Sequence, residues 1–245
     1  MDNQSQVLQV RPTRVPDGSI AAVPVRRGAY GDAYQLPAQT PRNLLAEEGS
    51  YYTVTNPTPD TTVACGIIAA YVATTPLFHI ANLAPTGGRS IFLDTLKLRV
   101  TVAPASAVNA IYTIDVDSTP RLSTAPTGGA LRTINNVNPA RPNDAEAAVY
   151  AFTGGTVLTV MAAAAARTIA HGAIAHSIPL AHDELVLAFG QDMVGASPAT
   201  AVTRRIATPP PVVIPPQCSA SIHIYFVTNS VTGLSAEYEL GFWMR

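Results

Sequence analysis

The sequence predicts an all-β protein, an antiparallel sandwich behind a long extended N-terminal arm, and three observations predict it. Four runs alternate apolar and polar residues with a period of two, the repeat of a strand that buries one face. Gly pairs punctuate the apolar stretches, at Thr86-Gly87-Gly88, Thr127-Gly128-Gly129 and Thr153-Gly154-Gly155. Glycine permits the positive φ of a tight reversal, and the unequal spacing marks recurrent turn chemistry rather than an internal repeat. The third observation is a change of composition near residue 50.

Residues 1–50 hold Arg11-Pro12, Val15-Pro16-Asp17-Gly18, Val23-Pro24, Leu36-Pro37 and Thr40-Pro41. Prolines at this density prevent a regular helix and suit only edge strands or extended chain. The same stretch carries Arg11, Arg14, Arg26, Arg27 and Arg42 and little that could bury itself. It reads as an arm whose order comes from contact with something else, the alternative being a flexible tail.

Residues 51–245 read as one β-sandwich domain. Leu96, Leu98, Val100 and Val102 alternate with Lys97, Arg99 and Thr101; Tyr112, Ile114 and Val116 with Thr113, Asp115 and Asp117. Ile222, Ile224 and Phe226 alternate with Ser221, His223 and Tyr225, and Tyr238, Leu240, Phe242 and Met244 with Glu237, Glu239, Gly241 and Trp243. Less regular runs at 51–55, 63–73, 77–83, 130–134, 156–161, 168–178, 185–189 and 202–207 complete the strand set. One short helix is expected over Asp144 to Ala151, with Asn143 as its cap and Glu146 at the capping-box position. The Pro-rich stretch 208–216 is expected to be extended, on a rim or crossover. About ten short strands with many Gly and Pro turns, in nearly 200 residues after the arm, fit a jelly-roll-like fold.

Composition excludes several classes of function. Charged residues make up only 13%, against roughly 25% in an ordinary soluble domain, and the net charge is −1 with a single lysine, Lys97. Without excess positive charge, counterion release cannot drive direct nucleic-acid binding. A hydrophobic content of 47% is enough to build a core. The polar N-terminus lacks the pattern of a secretory signal, and no run approaches the roughly 20 apolar residues that span a bilayer. Synthesis in a cytoplasm and no membrane partner are therefore expected. A disulfide between Cys65 and Cys218 is open in principle, but a cytosolic chain keeps both as thiols.

The search for chemistry gives a short list. His171, His176, His182, Asp183 and Glu184 could supply metal ligands, but five residues apart on one strand His171 and His176 face opposite ways. They read better as polar surface or subunit contact. Asp115 and Asp117 share a strand face with no calcium-loop pattern and no partner His at a recognisable spacing, and read as a solvated face beside Lys97 and Arg99 of a neighbouring strand. No G-x-S-x-G, Walker A or H-E-x-x-H motif occurs, and Cys65 lies in an apolar run that would bury its thiol. Neither catalysis, nor a metal, nor a cofactor is expected. Trp243 faces away from the Tyr238 and Phe242 side of its strand, as an interface anchor does; a carbohydrate platform is the alternative use.

Leu77-Phe78-His79-Ile80-Ala81-Asn82, the run Arg89-Ser90-Ile91-Phe92-Leu93-Asp94-Thr95-Leu96-Lys97-Leu98, Arg204-Arg205-Ile206-Ala207 leading into Pro210-Pro211-Val212-Val213-Ile214, and the ending Tyr238-Glu239-Leu240-Gly241-Phe242-Trp243-Met244-Arg245 resemble structural proteins of tailed-bacteriophage virions. Among these the chain is most similar to head decoration, or cement, proteins, over roughly residues 60–245. The resemblance implies a jelly-roll-like fold, attachment outside an icosahedral phage head, bridging of major capsid protein subunits and a homotrimer. On that reading Arg11, Arg14, Arg26, Arg27 and Arg42 contact the capsid, and Trp243, Pro210, Pro211, His171 and His176 lie at subunit interfaces. The alternatives are a jelly-roll major capsid protein of a non-tailed virus, a tail or fibre component binding host glycans, and a metal-dependent enzyme using His171, His176 and His182.

Overall fold

The computed structural model describes residues 13–14, 20–21, 42–58, 63–65, 70–103, 109–121, 126–162, 165–175, 181–191, 204–227 and 234–245. The chain forms two compact units, Met1–Pro41 and Arg42–Arg245. In the first, β1 (Thr13–Arg14) and β2 (Ile20–Ala21) pair antiparallel.

The second unit begins with a one-helix lead-in, α1 (Arg42–Glu48), whose Leu45 is buried. It continues through β3 (Tyr51–Thr55), β4 (Val63–Ala64), β5 (Phe78–Asn82), β6 (Ile91–Val102), β7 (Asn109–Asp117), β8 (Gly129–Arg132), β9 (Asn135–Asn136) and β10 (Ala147–Phe152). Then follow β11 (Arg167–Ala175), β12 (Glu184–Ala188), β13 (Arg204–Ala207), β14 (Val213–Ile214), β15 (Ser219–Val227) and β16 (Ser235–Met244). The second compact unit thus starts at Arg42, ahead of the expected boundary at residue 51, and includes α1 with its buried Leu45.

The strands form an eight-stranded sheet in the order β13-β12-β6-β16-β3-β9, with β14 added on β6 and β4 on β16, and a six-stranded sheet in the order β11-β7-β15-β5-β10-β8. Numbering β3, β5, β6, β7, β11, β12, β15 and β16 from one to eight, the sheets read 1-8-3-6 and 2-7-4-5. First pairs with last, second with seventh, third with sixth and fourth with fifth. That nested pairing is the double Greek key of a jelly roll, so the all-β sandwich expected from the alternation is what forms. One pair departs from antiparallel: β13 runs parallel to β12.

All four alternating runs are strands. Leu96, Leu98 and Val100 of β6 and Tyr238, Leu240, Phe242 and Met244 of β16 face the core, while Val102 at the end of β6 is exposed. Opposite them, Phe78 and Ile80 of β5, Ile114 of β7 and Ile222 and Ile224 of β15 close the sandwich. Phe78, Phe152 and Tyr238 meet edge to face at its centre, with centroids 5.2–5.7 Å apart, the geometry aromatic quadrupoles favour.

Two local expectations change. Residues 144–151 are not a helix: Asn143 Oδ1 accepts from the backbone of Asn136, and Ala147–Phe152 form β10, with Val149 and Ala151 in the core. A capping box satisfies two local donors, whereas pairing with β5 and β8 satisfies a whole strand and buries its apolar residues. The 208–216 stretch is extended as expected, and β14 within it ladders onto Phe92 and Ile91 of β6. Val212 and Ile214 point inward while Pro210 and Pro211 are exposed. Both cysteines are free thiols; burial pushes the Cys65 thiol up to about 12.

Candidate functional site

Each sheet has an outer face, and the two differ in kind. On the six-stranded sheet, the register puts His79 of β5, Ser221 of β15, Asp115 of β7 and Thr168 of β11 in one row. His223, Thr113 and His171 form the next row. Strand alternation sends these side chains away from the core, yet His79, Asp115, Ser221 and His223 are 0–1% exposed. Residues 71–73 and Arg121 cover them. Tyr71 Oη donates to Asp115 Oδ2 at 2.6 Å, and its ring lies 5.0 Å from that of His223. Arg121, itself 2% exposed, donates from Nε to the Met161 carbonyl at 2.8 Å and from Nη2 to the Ala73 carbonyl at 2.7 Å.

The electrostatics of this layer follow from burial. His223 Nε2 lies 3.1 Å from Asp115 Oδ2, and Thr168 Oγ1 donates to Asp115 Oδ1 at 2.7 Å. Burial alone would raise the Asp115 pKa; the contacts from His223, Tyr71 and Thr168 outweigh it and hold the carboxyl at about 2. His79 shares a 3.0 Å hydrogen bond from Nδ1 with Ser221 Oγ. Burial first, then the positive Arg121, lowers the His79 pKa to about 3, so the ring is neutral at pH 7. An Asp–His contact is a general-base arrangement in many enzymes; here both side chains are 2% exposed and lie beneath Tyr71. Its chemistry is that of a polar seam holding the 71–73 segment and the Arg121 turn onto the sheet.

The outer face of the eight-stranded sheet is open by comparison. Across four strands, Val213, Phe92, Trp243 and Tyr51 are successive neighbours in register. Trp243 and Phe92 are half-buried and stack at 5.6 Å, 4° from parallel; Val213 is 42% exposed. Beside this row Asp94 is the extra residue of a bulge, where Gly241 pairs with Thr95 and Phe242 with Leu93. Asp94 accepts from Tyr51 Oη at 2.6 Å, Arg42 Nη2 at 2.8 Å and Gln191 Nε2 at 3.3 Å. Tyr51 reaches it by lying across Gly241, where a Cβ would collide with the Tyr51 hydroxyl. Further along, Lys97 pairs with Glu239 at 3.0 Å and Arg99 with Glu237 at 2.6 Å. These pairs line a shallow cleft of about 380 Å³ with Thr55, Asn56 and Glu184.

The residues singled out from sequence fall unevenly on this frame. Trp243 faces outward, as its alternation required, and Pro210 and Pro211 are exposed on the rim. Arg42 belongs to the body and is bonded to Asp94. Arg14 lies in β1, while Arg11, Arg26, Arg27 and His176 lie outside the described residues. His171 is exposed on β11 and hydrogen-bonds Thr113 at 3.1 Å. His182 occupies a turn with φ 73°. Among the described residues, no three His, Cys, Asp or Glu side chains are grouped to hold a metal ion.

The solvated Asp115/Asp117 face is corrected: both carboxylates are buried, at 1% and 4% exposure. Lys97 and Arg99 stand on the other sheet, bonded to glutamates. Sequence reasoning also missed His79, His223 and Arg121. Their signal was a second polar face continuing across β5, β7 and β15, visible only once the strands are in register. Compared with models of protein families, with curated proteins and with solved structures, the chain matches none.

Proposed function

We propose that this protein is a virion structural subunit: a head decoration, or cement, protein that binds the outside of an icosahedral phage head and bridges major capsid subunits, as a homotrimer. The single observation that best supports this is the nested 1-8-3-6 and 2-7-4-5 strand order, a jelly roll of the kind used in capsids and lectins. Ahead of it stands a separate unit, Met1–Pro41, bearing four arginines suited to acidic partners. A subunit of this design needs no strong individual contact, since many identical copies on one shell add avidity. The exposed Pro210-Pro211 rim is the contact element on the body.

The test is co-sedimentation of the full chain with undecorated capsids, beside a variant lacking residues 1–41. Cutting at 41 leaves α1 and its buried Leu45 in place. The expected result is saturable binding by the full chain, loss of binding by the truncated one, and an unchanged melting transition of the body. A truncated protein that still saturates capsids overturns the role of the arm. The same strand order favours one second reading, a major capsid protein of a non-tailed virus. Closed shells formed by the purified protein alone would establish that reading in place of the first.

A further inference from the structure

The outer face of the eight-stranded sheet has a symmetry that its sequence conceals. On β6 its exposed charges are basic, Lys97 and Arg99, the buried Asp94 being answered by Arg42; on β16 they are acidic, Glu239 and Glu237. Each base stands directly opposite its acid, and Phe92 stands opposite Trp243 in the same ladder. Lys97 and Glu239 keep 43% and 46% of their side-chain surface exposed, and Arg99 keeps 41%. Glu237 keeps only 15%, so it is the Lys97–Glu239 pair that leaves room for a second counter-ion on both of its members.

We propose that this face associates with the same face of a second copy about a two-fold axis running along the strands, midway between β6 and β16. Such an axis lays β6 of one copy over β16 of the other and keeps every residue at its own level. Lys97 then faces Glu239 of the second copy and Phe92 faces Trp243, with Arg99 at the level of Glu237. Every one of these meetings is complementary, and each occurs twice. The other in-plane axis, across the strands, lays β6 over β6 and brings bases against bases. Charge thus selects one orientation, and it is the aligned one in which twisted sheets pack face to face. The centre of the contact is a Trp-Phe cluster, the residue type that dominates interface energies, and the isologous pairing makes the contact self-limiting. The inference rests on reading Trp243 as an interface anchor and on no property of a capsid.

The experiment is analytical ultracentrifugation of the full chain across a concentration series, with Lys97→Glu and Glu239→Lys made separately. Each variant carries like charges on the facing strands, so each is expected to lose self-association by tenfold or more in dissociation constant. Mixed in equal amounts, an all-acid pair meets an all-base pair, and a mixed dimer forms. Thermal melting of each variant checks that the body remains folded; if one unfolds, Lys97→Ala mixed with wild type supplies the same reading at lower contrast. Wild type that shows no concentration-dependent two-fold association overturns the proposal. So does association, of whatever order, that neither substitution weakens or that mixing fails to restore. Capsid binding plays no part in this test, so a negative result here leaves the decoration reading standing, and failure of capsid binding leaves this one standing.

Discussion

The two outer faces of the sandwich are built from similar alternating strands, yet one is a sealed polar seam and the other an open aromatic and charged surface. The six-stranded sheet turns Asp115, His79, His223 and Ser221 outward and then covers them with residues 71–73 and Arg121. The eight-stranded sheet turns Phe92, Trp243, Lys97 and Arg99 outward and leaves them partly exposed. Alternation tells which residues share a side; it does not tell whether water or more protein lies there. The sealed face contributes to stability, because its charges cannot be hydrated if a partner is lost. The open face contributes little to stability and is therefore free to serve contact.

The largest expected effect is acid lability of the sealed face. His79 has its pKa lowered from 6.5 to about 3, so the unfolded chain takes up a proton that the folded one refuses. Stability is complete above pH 6.5, falls as pH drops, and levels off near pH 3 after a loss of roughly 5 kcal/mol. Asp115 adds to the loss at the acid end: its lowered pKa stabilises the fold above pH 3.8, and that contribution disappears as pH falls through about 2. Urea unfolding at pH 7, 5.5 and 4 measures the slope, and His79→Gln should flatten it between pH 6.5 and 3. An equally steep slope in that variant would falsify the assignment to His79.

Next comes Arg121→Met, which removes the guanidinium that ties the Met161 and Ala73 carbonyls and leaves nearby carboxylates buried without it. The expected cost is about 3–5 kcal/mol, read from denaturant midpoints; a loss below about 1 kcal/mol would make the seam no more important than the open face. Trp243→Ala on that open face should cost only about 1–2 kcal/mol of stability while abolishing self-association, a split that calorimetry and sedimentation can separate. Smallest is Glu239→Gln, which breaks a half-exposed ion pair worth about 0.2–1 kcal/mol. A larger loss there would show the two faces to be less different than their burial implies.

How far the sequence could be read follows the same division. The inward sets of β6, β7, β15 and β16 were legible because one face of each strand is apolar throughout. Trp243 was legible as outward-facing by parity alone. Asp115 and Asp117 were misread as solvated because polarity on a second face has the same signature whether water or a buried histidine answers it. The helix over 144–151 was misread because Asn143 and Glu146 satisfy a local rule that pairing with β5 overrides. The bulge at Asp94 was invisible too. It switches the inward parity from Ile91 and Leu93 to Leu96 and Leu98, and only the partner strand reveals the extra residue. The nested strand order lies still further from sequence, since it is set by pairings between distant runs that local patterns do not encode.

That nested order places β16 between β6 and β3, at the middle of its sheet, although it is the last of the strands to leave the ribosome. Until it is made, Tyr51 and Phe92 belong to strands with no common neighbour, and Phe92 has no indole to stack on. Pairings this distant in the chain make for slow, late folding. The eight-stranded sheet therefore cannot close until β16 is available to pair, and before that neither the Phe92–Trp243 stack nor the Lys97–Glu239 ion pair exists. The outer face is thus the last part of the sandwich to exist, and its appearance reports that the sheet behind it has closed.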